Sequence, residues 1–302
     1  MSRRRDPAGG PCGVLLIDKS PGSTSLDMVR RVRRGLGVKR GGHAGTLDPF
    51  ATGLLPVCVG EATKAVSHLV EGTKVYEATA RLGVETDSAD CDGAVVATGD
   101  VQGIGEKEGV AAAARFVGRI EQIPPVYSAI RVDGKRAYEH ARAGTEVEMP
   151  TRTVDVHRLT VQEVVGDSVR FEVECGAGTY IRSIARDLGR ALGCHAHLIA
   201  LRRTRVGALT IEDARSIDAL ESSAMSAALL GSEKALGHLP EVAVNEELAV
   251  RIRHGQKIPL AAFPRADFRG VFRTLDAAGS LVALCEGRDG VMRVIRGFNE
   301  SW

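Results

Sequence analysis

Long apolar runs, paired cysteines and a decisive net charge are all missing from this 302-residue chain. The apolar stretch that follows the leading arginines, Val14 to Ile17, is cut short by Asp18-Lys19. Four residues are far too few for an export signal or a membrane span, so neither is expected. Six cysteines (Cys12, Cys58, Cys91, Cys175, Cys194 and Cys285) are scattered without a CxxC pair, which fits neither a disulfide scaffold nor a zinc knuckle. A reducing cytoplasm is the setting this usage implies. No solenoid repeat, heptad run or long low-complexity tract is present. Gly-Lys-Ser/Thr of a Walker loop and G-x-G-x-x-G of a dinucleotide fold are also absent from the glycine-rich segment near residue 48, which disfavours a nucleotide-phosphate cradle there.

With 44% hydrophobic and 26% charged residues, the chain can bury the core of one large domain and one small one. A formal net charge of +2 does not by itself argue for a nucleic-acid partner, so the distribution must. Residues 1 to 40 hold ten Lys/Arg against Asp6, Asp18 and Asp27, and residues 182 to 205 hold six Arg against Asp187. Residues 84 to 122 lean the other way, with eight acids and three bases. Basic patches on a near-neutral protein suit a polyanion gripped along one face, and each also fits a solvated charged helix.

Thr24-x-x-Asp27 reads as a capping box, with Leu26, Val29 and Val32 at helical spacing until Gly35 and Gly37. Tyr76, Ala78, Ala80 and Leu82 alternate with polar neighbours, which predicts a half-buried strand over 75–82 with Tyr76 pointing inward. The acidic stretch from Thr86 to Gly105 carries no assignable chemistry, and a helix is expected over 110–117. Pro124-Pro125 opens an expected strand, Val126 to Val132, with an Asp133-Gly134 turn and a short helix from Ala137 to Ala143. Val169, Phe171, Val173 and Cys175 predict another strand. In the helix after Gly178-Thr179-Tyr180, Ile181, Ile184, Ala185, Leu188 and Leu192 form the buried stripe, and Arg182, Arg186 and Arg190 form a basic one. A helical stretch is expected over 222–230. Short strands at Val271 to Leu275, Leu281 to Cys285 and Met292 to Ile295 suggest a small β-barrel. Together these elements point to a mixed α+β chain.

The chemistry concentrates in Gly42-His43-Ala44-Gly45-Thr46-Leu47-Asp48-Pro49-Phe50-Ala51-Thr52-Gly53-Leu54-Leu55, too rich in glycine for an ordinary helix or strand and expected as a loop. Pro49 biases Asp48 towards an extended conformation, so the carboxylate is held at a fixed angle. A lone Asp-Pro is more often turn chemistry or a helix cap. This run, however, closely resembles the catalytic motif of the TruB family of tRNA pseudouridine synthases. Leu16-Ile17-Asp18-Lys19-Ser20-Pro21-Gly22, the strand around Tyr76, Gly178-Thr179-Tyr180-Ile181-Arg182-Ser183 and Ala196-His197-Leu198-x-x-Leu201-Arg202-Arg203 follow in family order. The resemblance spans roughly residues 13 to 210.

That resemblance implies a pseudouridine-synthase catalytic domain over 1–238, with a mixed, largely antiparallel sheet, flanking helices and a mobile thumb near 124–150. Arg253-His254-Gly255-Gln256 resembles the opening of a PUA-type RNA-binding domain, which implies a small C-terminal β-barrel over 239–302. The implied reaction converts uridine 55 of the tRNA T-loop to pseudouridine. It breaks the ribose-to-nitrogen bond, turns the base and rejoins the ribose to C5; the step is redox-neutral and needs no metal or organic cofactor. Asp48 is the implied catalytic carboxylate, Arg182 the guanidinium that keeps it ionised, and Tyr76 the ring that stacks on the base with a part in deprotonation. By the same resemblance Tyr180 and Leu201 line the uracil pocket and His43 packs against the flipped-out nucleotide, while Lys19 and Pro21 support the loop. Lys135 and Arg136 are candidates for backbone contacts. As residue types alone, Tyr76, Tyr180 and Leu201 fit an ordinary core and His43 a backbone-bonded loop histidine. Cys194-His195-Ala196-His197 lacks the distant second pair that a four-coordinate metal site recruits.

The partner implied is the tRNA T-arm, met by a stand-alone monomer with no membrane and no obligate protein partner. Three rivals remain: a related synthase working inside a guide-RNA complex, a tRNA-folding chaperone, and a sugar hydrolase. The last needs a second carboxylate, and none accompanies Asp48 in the loop.

Overall fold

The computed structural model describes residues 10–263 and 270–298. Arg3, Arg4 and Arg5, counted in the first basic stretch, lie outside the described residues. The chain forms two compact units. One contains the described residues up to Pro49, Gly53–Gly72 and those from Val206 onward; the other contains Phe50–Thr52 and Thr73–Arg205.

In the first unit, the buried strand Gly13–Lys19 runs antiparallel to Thr52–Val59, in register from Gly13 opposite Val59 to Lys19 opposite Gly53. Arg215–Ser216 pairs with it in parallel, and Gly41–His43 adds to Thr52–Val59. The run around Asp48 is therefore strand at both ends and loop only between them, a correction to the expectation of a continuous loop. Gly53 still needs to be glycine, because its φ of 99° lies in the left-handed region within a strand. Helix Ser25–Leu36 begins as expected: Asp27 N–H donates to Thr24 Oγ1 and Thr24 N–H to Asp27 Oδ2, both at 3.1 Å. It stops at Gly37, whose φ is 66°. Its buried face is Ser25, Met28, Val29 and Val32, while Leu26 is exposed. At about 100° per residue, Leu26 stands roughly a quarter turn from that face.

A five-stranded sheet follows in the order Glu241–Ala243, Gly270–Leu275, Leu281–Arg288, Val291–Gly297, Ile258–Pro259. All three C-terminal strands expected from the sequence are present, each slightly longer. Phe272, Val282 and Met292 form a core with Val242 and with Ile252 of helix Glu246–Arg253. Leu281, Leu284 and Phe298 belong to a different core that contains Val14, Leu16 and Leu54. The small sheet is thus sandwiched between its own helix and the first strands of the chain.

The second unit is built on strands in the order Ala196–Val206, Lys74–Leu82, Ser168–Cys175, Arg152–Val165, Gly118–Gln122. Pairings along the last four are antiparallel. Alternation holds where expected: Tyr76, Ala78, Ala80 and Leu82 are buried on one strand, and Val169, Phe171, Val173 and Cys175 on its neighbour. Helices Glu106–Ala113 and Ile181–Ala191 pack near this sheet, giving the expected α+β architecture of mixed sheets and flanking helices. The strand expected over 126–132 shrinks to Arg131–Val132, paired with Lys135–Arg136. Ser128 N–H turns back to Val126 O at 2.9 Å, and the Ser128 and Ile130 carbonyls accept from Tyr138 and Ala137 N–H, so this backbone has no ladder to join.

One contact fixes the helix Ile181–Ala191 on its connection to the next strand. A β-carbon added at Gly189 would lie 2.3 Å from the backbone of both His195 and Ala196. Gly189→Ala gains about 1 kcal/mol of helix propensity, but overpacking against backbone costs about 1–3 kcal/mol or more because backbone cannot rotate away. The expected outcome is a lower urea midpoint with an unchanged m-value.

Candidate active site

Asp48 sits in a loop whose two flanking peptides are pinned. On one side, Leu47 N–H donates to Ser25 Oγ at 2.8 Å and the Ser25 hydroxyl donates to Leu47 O at 3.0 Å. On the other, Pro49 O accepts Gly22 N–H at 2.8 Å and Lys19 Nζ at 3.1 Å. Ser25 and Lys19 are buried, so these bonds are made away from water, where an unmade bond is expensive. A proline one residue on and a left-handed Gly45 (φ 100°) complete the restraint. Burial lowers the Lys19 pKa, and the Asp48 charge partly opposes that by favouring the ammonium. Lys19 therefore holds the loop by its hydrogen bonds and contributes a cation felt by the carboxylate.

His43, half-buried, ends the strand Gly41–His43 in the same unit. The remaining residues singled out by sequence, Tyr76, Tyr180, Arg182 and Leu201, all belong to the second unit. Tyr76 lies opposite Val173 on the sheet and is 9% exposed; Leu201 is also buried. Tyr180 precedes the helix Ile181–Ala191. Its N–H donates to Gln122 Oε1 at 2.8 Å, and Gln122 Nε2 donates back to Tyr180 O at 3.0 Å. The Tyr180 ring packs on a small core of Ile130, Ala137 and Met149 in the 124–150 segment.

Arg182, an exposed basic stripe on one reading of the sequence, is instead 4% exposed. Its Nη1 donates to Ser88 O at 3.0 Å and Asp90 Oδ2 at 3.1 Å, and its Nη2 to Tyr127 O at 2.9 Å. Asp90 is a buried partner of Arg182 that the sequence did not reveal. The acidic stretch around it contains the hairpin Val84–Thr86 and Val95–Thr98, and its turn is built to present this carboxylate. Ser88 Oγ donates to Asp90 Oδ1 at 2.5 Å, Asp92 N–H to the same oxygen at 3.1 Å, and Thr86 Oγ1 to Asp90 O at 2.7 Å. A buried guanidinium given a carboxylate and two carbonyls is held rigidly. Cys91, next in the chain, is exposed; partial desolvation of its thiol pushes its pKa up, and the Asp92 and Asp90 charges add to it.

The basic segment 182–205 is correspondingly not a free phosphate-binding face. Arg186 bonds Asp187 and Ile123 O, Arg205 bonds Glu174, and Arg203 is buried. Exposed bases are found elsewhere: Arg30, Arg31 and Arg34 on the capped helix, and Arg131, Lys135 and Arg136 on the 131–136 hairpin. Next to that hairpin the Tyr138 ring lies 6.0 Å from the Arg136 guanidinium and 5.5 Å from that of Arg142.

Residues 33–181 match the model of the N-terminal domain of TruB family pseudouridylate synthases, and residues 182–239 match that of the tRNA pseudouridylate synthase B C-terminal domain. The chain is 46% identical over 286 residues to a tRNA pseudouridine synthase B of Burkholderia pseudomallei (strain 668), across 93% of this chain and 94% of that protein. It is 45% identical over 290 residues to one from Ralstonia nicotianae, across 93% and 92%. Among solved structures, a chain of an H/ACA RNP bound to a substrate RNA containing 2'-deoxyuridine is similar, with 26% identity, a TM-score of 0.73 and coverage of 95% of this chain and 85% of that one. A chain of a Cbf5-Nop10-Gar1 complex is 27% identical with a TM-score of 0.74, covering 98% and 90%.

Ser25→Ala removes the side chain that bridges both polar groups of Leu47. Each unsatisfied buried group costs about 1–3 kcal/mol and two are left here, so chemical denaturation should show a loss of about 2–6 kcal/mol. Circular dichroism of the folded state is expected to be unchanged.

Proposed function

The chain belongs to the TruB family of pseudouridine synthases, and on that premise we propose that it isomerises uridine to pseudouridine in tRNA, at position 55 of the T-loop. The observation that carries the reading is the clamped loop, which offers the Asp48 carboxylate at a fixed angle beside a buried cation. Bond cleavage at the ribose and re-formation at uracil C5 need a carboxylate and a proton acceptor held in place, and consume no reductant.

In this reading Asp48 acts on the nucleotide, with Arg182 as the guanidinium that favours its ionised form. Tyr76 stacks on the uracil, Tyr180 and Leu201 line its pocket, and His43 faces the extruded nucleotide. A uridine stacked within a folded T-loop hides its reacting carbons, so it is flipped out and its lost stacking replaced by these side chains. Phosphate contacts fall to the exposed arginines of the capped helix and to Lys135, Arg136 and their neighbour Tyr138. Residues 1–238 form the catalytic domain, with 124–150 as its thumb, and 239–302 bind RNA.

A guide-dependent synthase is the alternative, favoured by the likeness to chains of an H/ACA RNP and of a Cbf5-Nop10-Gar1 complex. The higher identity to proteins named tRNA pseudouridine synthase B, over nearly their whole length, supports a stand-alone monomer instead. Among the described residues no helix is long and apolar enough to cross a membrane, and tRNA as substrate makes the cytoplasm the proposed site of action.

Tritium release from unmodified tRNA transcript labelled at uridine C5 tests the proposal. Wild-type protein is expected to release label from the T-loop, and Asp48→Asn to lower the rate by about 10²–10⁴-fold or more while still binding tRNA. Absence of release from wild type despite tight binding would overturn the stand-alone reading.

A further inference from the structure

Two features that the sequence left without a role, the acidic stretch and Cys194-His195-Ala196-His197, meet in the second unit. Glu85, whose side chain is only 7% exposed, accepts Arg190 Nε at 3.0 Å and Arg190 Nη2 at 2.5 Å, and faces His195 Nδ1 at 3.0 Å. Burial alone would raise the Glu85 pKa. Hydrogen bonds from Arg190 and His195, with their charges, outweigh it and hold the carboxyl below the usual glutamate range. Backbone stitches surround the pair: Gly83 N–H to His195 O at 3.0 Å, His197 Nδ1 against Val84 O at 2.8 Å, and Leu198 N–H to Ala89 O at 3.0 Å. His195 has a φ of 64°, a left-handed conformation that a β-carbon disfavours. The surrounding bonds hold it there.

The spacing gives the cluster its meaning. Arg182 and Arg190 lie on one helix, about 12 Å apart along its axis at 1.5 Å per residue. Their carboxylate partners, Asp90 and Glu85, lie in one hairpin and its turn. We propose that Glu85 is a positioning residue: by tying the hairpin to the far end of the helix through Arg190 and His195, it sets where Asp90 presents its carboxylate and hence where the Arg182 guanidinium points. Backbone bonds hold the hairpin against the connection after the helix, and the Asp90–Arg182 and Glu85–Arg190 pairs add ties to the helix itself at two points, which fixes an angle as well as a distance. Misplacement by about 1 Å at a reacting centre can cost about a hundredfold in rate. Glu85 is buried while Arg190 is half-exposed, and Glu85→Gln keeps the size and an acceptor oxygen for Arg190, which limits the effect on global stability. The role rests on the reading of Arg182 as part of the synthase site.

The test is a double-mutant cycle of Glu85→Gln and Asp90→Asn, read by single-turnover tritium release, KM for tRNA and thermal midpoint. Glu85→Gln is expected to slow release by about tenfold, with KM and midpoint essentially unmoved. If Glu85 acts through Asp90, the double variant is no slower than Asp90→Asn alone. Wild-type speed in Glu85→Gln, or independent multiplication of the two effects, would overturn the proposal, as would losses that track the midpoint. Hydrogen exchange supplies a readout independent of turnover: the Leu198 amide, bonded to Ala89, should exchange faster in Glu85→Gln at unchanged global stability, and unaltered exchange would refute the tie. A wild type that releases no tritium would instead sink the synthase reading, leaving exchange to judge the tie alone.

Discussion

A guanidinium that folding has taken out of water must be given acceptors, and Arg182 draws the second unit together on that account. Three of its partners come from two separate stretches: Ser88 and Asp90 from the turn of the 84–98 hairpin, Tyr127 from the segment after Pro124-Pro125. The desolvation of such a cation costs several kcal/mol, so losing one acceptor is far more damaging than never having buried the charge. Neighbouring bonds follow the same logic. Ser183 and Arg186 both donate to Ile123 O at 2.9 Å, and Gln122 exchanges two bonds with Tyr180. The start of the helix is therefore a junction of polar groups rather than of apolar packing, and it orders irregular chain that no ladder would hold.

The first unit solves a different problem in a similar way. A carboxylate that is to act on a substrate needs a fixed backbone. Restraint is accordingly applied one peptide to either side of Asp48, by Ser25 and by Lys19 with Gly22. Polar bonds to flanking backbone cost little in the reaction because they do not change as charge moves.

Periodic features were readable in advance: the capping box at Thr24, the alternation at Tyr76 and at Phe171, the three C-terminal strands. Each rests on contacts between near neighbours in sequence, where spacing maps directly onto a face. The Asp48 motif was readable for a different reason, since its residue types and order are dense enough to be distinctive. What the sequence hid were pairings across long separations. Asp90 lies 92 residues from Arg182, and Glu85 lies 105 from Arg190 and 110 from His195. Nothing in an acidic stretch says which of its carboxylates will be buried, so Asp87, Asp90 and Asp92 looked alike. For the same reason the arginines of 182–205 looked like a phosphate-binding face, although several are spent on internal acceptors. Strand 126–132 failed because its apolar residues suit a strand while its amide groups are consumed by local turns.

The core shared by Val14, Leu16 and Leu54 with Leu281, Leu284 and Phe298 has a consequence for synthesis. Residues 73–205 form a nearly contiguous unit whose contacts close as soon as that stretch has left the ribosome. The other unit joins strands made at the outset to strands made more than two hundred residues later, a loop closure that must wait. At about 5–20 residues per second that wait lasts roughly 10–50 seconds. Throughout it the core around Val14, Leu16 and Leu54 lacks Leu281, Leu284 and Phe298, so an apolar face formed early stays incomplete, and open to aggregation or to a chaperone's attention, until the last strands are made.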